Sequence, residues 1–210
     1  SFIAQQLSVL GPNAFVGCVN LEECLISGEA VVCSETFSNC SKLEKVSLLG
    51  KTRFAESFSV SAWGYWRPPF GGCTNLREVV LGENFTRIPG ETFRGLNLLT
   101  NVTVTSSLTD INDGVFMDCS SLKSLAGADS VTKIGDSAFS GCSSLEAFEG
   151  FANVKNIGYR AFEGCSSLSG AIELSVAESV GECAFIDCVG LTSFIAQQLS
   201  VLGPNAFVGC

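Results

Sequence analysis

Eleven cysteines carry most of the reactive chemistry in this 210-residue chain. Thiols can pair as disulfides, bind a soft metal or act as nucleophiles, and spacing decides among these. Eight of them, Cys18, Cys40, Cys73, Cys119, Cys142, Cys165, Cys188 and Cys210, recur at one phase of a repeat. No C-x-x-C pair accompanies them and the chain has no histidine, so no metal or cofactor is expected. Bridging requires Cα atoms within about 7 Å. A helical side of a stacked repeat advances further than that per turn, so the spacing predicts buried, apolar, free thiols. Cys24 falls at a core phase, whereas Cys33 and Cys183 lie off the ladder and are candidates for exposure.

Other chemical groups are sparse. Without histidine, the usual general base at neutral pH is missing and several catalytic constellations cannot be built. Glu22-Glu23 and Asp110 with Asp113 have the composition of acid/base or calcium pairs, but read more simply as solvated turn residues. No glycine-rich phosphate loop follows a strand, so no catalytic residue is assigned and no enzyme is expected. Asn39, Asn84 and Asn101 begin N-x-S/T triplets and are candidate N-glycosylation sites, with Asn84 in "LGENFTRIP" the best placed.

The richest local composition is "SVSAWGYWRPPFGGC", which holds both tryptophans, Tyr65 and Arg67. Rigid aromatics beside arginine anchor binding surfaces and stack on sugar rings. Trp63, Tyr65, Trp66 and Arg67 are therefore the candidate contact loop. Three roles stay open: covering the protein's own apolar edge, contact between copies, or capture of a foreign ligand.

Composition bounds the partners. With a formal net charge of −9 and scattered acids, nothing in the chain would release phosphate counterions, which argues against nucleic acid or an anionic membrane. Hydrophobic residues make up 46%, enough for a sizeable core, yet the apolar runs are short and no transmembrane helix is expected. No leader peptide is recognisable within these residues.

The elements that position these groups follow from repetition. A ladder of leucines, Leu21, Leu43, Leu76, Leu99, Leu122, Leu145, Leu168 and Leu191, steps by 22, 33, 23, 23, 23, 23 and 23. Three residues before each ladder cysteine, or Leu96 in its place, stands a phenylalanine: Phe15, Phe37, Phe70, Phe93, Phe116, Phe139, Phe162, Phe185 and Phe207. One unit of about 23 residues cannot bury its own apolar face, so stacked neighbours must complete a continuous core with the phenylalanines as its spine. The pattern predicts an α/β repeat solenoid. Each unit would hold one short parallel strand and one short helix or turn, with Asp136 as the helix N-cap in "DSAFSGCSSL". The strand side should advance on the order of 40 Å over eight turns. A helical side needing more room would make the stack curve. The one irregularity is an insertion at about 59–69.

The pattern "L..L/I….V..IG..AF..C..L" resembles the treponemal-type, or BspA-like, leucine-rich repeat, over the whole of residues 1–210. The resemblance implies a scaffold on a bacterial or protist surface, or secreted, and often adhesion to a matrix or host.

A second level of repetition lies above the first. "SFIAQQLSVLGPNAFVGC" occurs unchanged at Ser1–Cys18 and Ser193–Cys210, a period of 192 residues, whereas the clearest neighbouring units agree at 11 of 23 positions. The chain thus reads as one super-repeat plus an overlap, uncapped and cut from something longer. The expected work is mechanical: a building unit of an extracellular fibre or surface array, partnered chiefly by itself. The rival expectation is an adhesin that binds a matrix or cell-surface protein or glycan through the aromatic loop.

Overall fold

The computed structural model describes residues 1–7, 10–56, 67–105, 108–147 and 150–210. They form a solenoid in which every strand pairing is parallel. One ladder runs through Phe2–Ala4, Glu23–Ile26, Lys45–Leu48, Glu78–Leu81, Asn101–Val104 and Ser124–Ala126. Its alternation is simple: Val46 and Leu48 point into the core while Lys45 and Ser47 face outward. A second ladder of two-residue strands runs through Arg87–Ile88, Asp110–Ile111, Lys133–Ile134, Asn156–Ile157, Ser179–Val180 and Val201–Leu202. Two further pairs complete the set, Val31–Val32 with Arg53–Phe54 and Ser169–Glu173 with Gly190–Ile195. Most units therefore carry two strands where one was expected.

The expected helix is absent among the described residues, and the backbone explains why. The "DSAFSGCSSL" segment is a chain of tight turns, with Ser140 N–H bonded to Ser137 O, Cys142 N–H to Phe139 O and Leu145 N–H to Cys142 O. In every unit but that of Phe70, where Pro68 takes the first place, two positions take the left-handed conformation, two residues before and two residues after the spine phenylalanine. Ser137 (φ 54°) and Gly141 (φ 76°) flank Phe139 in this way. A right-handed helix cannot pass through two left-handed residues so close together. The second position holds Gly, Asn or Asp in every unit, the residues that tolerate this conformation best.

This change of element also changes the spacing. A tight turn lets backbone bond to backbone on this side of the stack too: Phe139 N–H reaches Ala161 O and Gly141 N–H reaches Glu163 O, both at 2.8 Å. Both sides therefore advance by nearly one strand spacing per turn, and the helix-driven demand for curvature disappears. Asp136 likewise caps no helix. Its Oδ1 accepts from Tyr159 N–H of the next turn at 2.8 Å, while its own N–H bonds Asp113 Oδ1 at 2.9 Å.

The core is the spine and its flanks. Consecutive rings from Phe15 to Phe207 stack nearly parallel with centroids 5.1–5.4 Å apart, inside the favourable range for aromatic pairs. The seven inner rings are fully buried; Phe15 and Phe207 are partly exposed.

Candidate functional site

The cysteine column sits directly beside the spine. From Cys40 onward each thiol donates to the carbonyl of the spine phenylalanine one turn earlier, as Cys119 to Phe93, Cys142 to Phe116, Cys165 to Phe139 and Cys188 to Phe162, at 3.0–3.2 Å. All eleven cysteines are free. Burial pushes the thiols of Cys119 and Cys188 up to about 12, and those of Cys142 and Cys165 well above their ordinary value. A protonated thiol is a donor and a poor nucleophile, so the column serves packing and backbone pairing. Spacing beyond bridging range, the premise used for these cysteines, does not hold, because the turns lie closer than a helix would allow. Cys24 is buried as expected and Cys33 partly exposed, but Cys183 is buried, against expectation, because the following turn covers it.

Of the candidate contact loop, Trp63, Tyr65 and Trp66 lie outside the described residues. Arg67 is described: its guanidinium pairs with Glu35 at 2.8 Å, across the unit boundary. Immediately after it the chain rejoins the ladder, with Pro69 O accepting from Phe37 N–H at 2.8 Å and Phe70 stacking on Phe37. The described end of the insertion is therefore bonded to the preceding unit.

The three sequon asparagines are all exposed. Asn39 is left-handed (φ 61°). Asn84 Nδ2 donates to Gly50 O at 2.6 Å and Asn101 Nδ2 to Thr100 Oγ1 at 3.1 Å. Glu23 and Asp110 open strands rather than turns, and among the described residues no cluster of His, Cys, Asp or Glu forms a metal site. A shallow groove runs past Arg87, Glu91, Asp113, Lys133 and Asp136; its charges are of mixed sign and select no ligand class.

The ends of the stack are more informative. Ser1–Cys18 and Ser193–Cys210 are the same residues in two half-environments. Leu10 is 7% exposed and its twin Leu202 56%, whereas Ala206 is 4% exposed and its twin Ala14 lies open. In the inner units both positions are buried together, as with Ile157 and Ala161 or Val180 and Ala184. Each position is buried in the copy over which a neighbouring turn of this sequence lies. The exact repeat of eighteen letters signals this relationship in sequence; which side chains each face exposes emerges only from the coordinates.

These features define a leucine-rich-repeat solenoid. The chain matches the BspA type leucine rich repeat region (6 copies) over residues 2–62, 68–169 and 92–210, and it belongs to that family. No curated protein matches it in sequence. Among solved structures it is similar to a leucine rich cell surface protein from Faecalibacterium prausnitzii, with 20% identity over 88% of this chain and 62% of that one, at a TM-score of 0.51. The chain thus spans less than two thirds of that protein's length. A leucine-rich repeat protein from Eubacterium ventriosum shares 16% identity over 96% of this chain and 80% of its own, at a TM-score of 0.45. These likenesses concern the fold. Among the described residues no helix is long and apolar enough to cross a membrane.

Proposed function

We propose that the chain is a structural building unit of an extracellular fibre or surface array, formed by end-to-end continuation or stacking of solenoids, and not an enzyme. The observation that carries this reading is the pair of identical turns, 192 residues and eight spine steps apart. A repeat that returns to the same turn can be extended without a change of register. The surface location rests on the family and on the cell-surface description of the Faecalibacterium protein. Asn84, Asn101 and Asn39 are the side chains that would carry glycans if the chain passes through a eukaryotic secretory route. The test is the intact mass of the source polypeptide under reducing, denaturing conditions, with electron microscopy of material released from the cell surface. Extended fibres with an axial repeat support the reading; compact particles alone overturn it.

A second reading has one observation in its favour. Arg67 and Pro69 fix the exit of the aromatic insertion to the preceding unit, which suits a loop displayed for binding a matrix protein or glycan. Substituting Trp66 with alanine would then abolish ligand capture and leave assembly intact.

A further inference from the structure

Two inner cysteines of the column stand apart from the others. Cys40 and Cys73 occupy the same phase on consecutive turns, and the 33-residue step between them holds the aromatic insertion. The two turns are tightly seated beside these residues. Phe37 N–H donates to Pro69 O and Asn39 N–H to Gly71 O, both at 2.8 Å. Phe37 and Phe70 stack at 5.2 Å with their planes 2° apart. A Cβ on Gly72, which directly precedes Cys73, would lie 3.4 Å from Asn39 Cα. Disulfides span Cα separations of about 4.4–6.8 Å, so a turn-to-turn step of this size is within bridging range.

The two thiols also touch. A hydrogen-bonding contact with Cys73 holds Cys40 below its ordinary value, and the same contact, with burial, pushes Cys73 up. Further along the column the neighbours act on one another through charge alone, as Cys119 and Cys165 do on Cys142 and Cys188 does on Cys165. Leu96 takes the column place in the next unit, so Cys73 has a cysteine neighbour on one side only. Bridging would also leave no carbonyl stranded. The thiols of Cys40 and Cys73 donate to Phe15 O and Phe37 O, but those carbonyls accept the N–H of Cys18 and Cys40 as well.

We infer that Cys40 and Cys73 join as a disulfide between turns when the chain folds in an oxidising compartment, and that this bridge ties together the two units on either side of the insertion. The step is thiol–disulfide exchange with a small disulfide such as oxidised glutathione. The Cys40 thiolate attacks one glutathione sulfur and expels the other half as a thiolate. Cys73, giving up its proton, then attacks the Cys40 sulfur and expels the second glutathione thiolate. Two protein thiols are oxidised and one glutathione disulfide is reduced to two thiols. Both cysteines are fully buried in the finished stack, so the exchange belongs to folding, before the turn of Phe70 seats on that of Phe37. An extracellular location, part of the reading above, supplies the oxidising compartment.

The test is refolding of the full, reduced chain from urea in a buffer of reduced and oxidised glutathione, followed by alkylation, digestion without reductant and mass mapping. One linked peptide pair should join residues 40 and 73, with the other nine cysteines alkylated. The urea midpoint should be higher in the oxidised chain than in the reduced one, and Cys73→Ala should abolish the difference. The same map on chain purified without reductant and never unfolded gives the answer where refolding is incomplete. Alkylation of both Cys40 and Cys73 in both preparations overturns the bridge. Linkage spread over other column pairs, such as Cys18 with Cys40 or Cys142 with Cys165, overturns it too. The fibre reading is decided separately, by microscopy of the source material.

Discussion

The Cys142 thiol donates to the carbonyl of Phe116 at 3.1 Å, one turn below it, and the same bond recurs along the column. Each thiol thus joins two neighbouring turns through a carbonyl that already accepts a backbone N–H within its own turn, as Phe116 O does from Cys119 N–H, and occupies its second lone pair. Cysteine is small enough to fit beside stacked rings and still offers a donor, which alanine does not.

This column makes stability sensitive to alkali. Burial raises the folded-state thiol values, to about 12 at Cys119 and Cys188. Between the unfolded value, about 8.5, and the folded one, the unfolded chain releases thiol protons that the folded chain keeps. The unfolded state then binds fewer protons, so stability is fully present below the unfolded value and falls as pH rises toward the folded one. Urea midpoints should hold near pH 7 and drop through pH 9 to 11. A variant with alanine at Cys119, Cys142, Cys165 and Cys188 should start less stable but show a flatter pH profile in that window. A wild-type midpoint that does not move would contradict the assignment.

Gly158 and Gly164 differ in why they are glycine, and substitution should separate them. A Cβ on Gly158 would lie about 2.6 Å from Asp136 N and Gly135 C, so Gly158→Ala forces two turns apart. Overpacking of this kind costs about 1–3 kcal/mol or more. Gly164 has a left-handed φ of +68° and nothing within 4 Å of its virtual Cβ. Gly164→Ala should therefore cost only the backbone penalty, about 1–2 kcal/mol. Denaturation of both variants tests the order: Gly158→Ala must be the worse, and more so if neighbouring turns uncouple.

How much of this was legible in the letters differs by element. The spine and the cysteine column were readable because phenylalanine and cysteine are chosen by core volume, which repeats with the unit. The strands were readable where Val46 and Leu48 alternate with Lys45 and Ser47. The helix expectation failed because Ala138, Phe139 and Cys142 fall on one helical face and equally on one side of a chain of turns. The discriminating signal was the column at Gly141, Asn39 and Asp118, two residues past the spine, where only residues that tolerate a left-handed backbone occur. The facing of Ala14 and Leu202 could not be read at all, since identical letters in identical order carry opposite exposure.

The spine predicts a gradient of sensitivity along the stack. Phe139 is fully buried and touches Phe116, Phe162 and Phe151. Removing its ring should cost about 3–5 kcal/mol. Phe207 is partly exposed, with Phe185 and Phe194 as neighbours, so Phe207→Ala should cost less. Solenoid stability is roughly a sum of unit and nearest-neighbour terms. Hydrogen exchange of Phe139→Ala should therefore show protection lost in the turns around residues 116–162 before the distant ones. Uniform loss across the chain would contradict a linear, nearest-neighbour stack.

Asp136 offers a sharper test, because its carboxylate is exposed and yet serves the backbone of another turn. Oδ1 accepts from Tyr159 N–H while Asp113 Oδ1 accepts from Asp136 N–H, so the two aspartates form successive links of one chain of bonds. Asp136→Ala should leave the Tyr159 amide open to solvent and cost about 0.5–1.5 kcal/mol, the net worth of one such bond. Asp136→Asn keeps an acceptor oxygen at the same place and should recover most of that loss, although the charge is gone. If asparagine were as harmful as alanine, the negative charge rather than the bond would be what the fold uses. Exchange of the Tyr159 amide, measured in both variants, separates the two: protection should be lost with alanine and largely retained with asparagine.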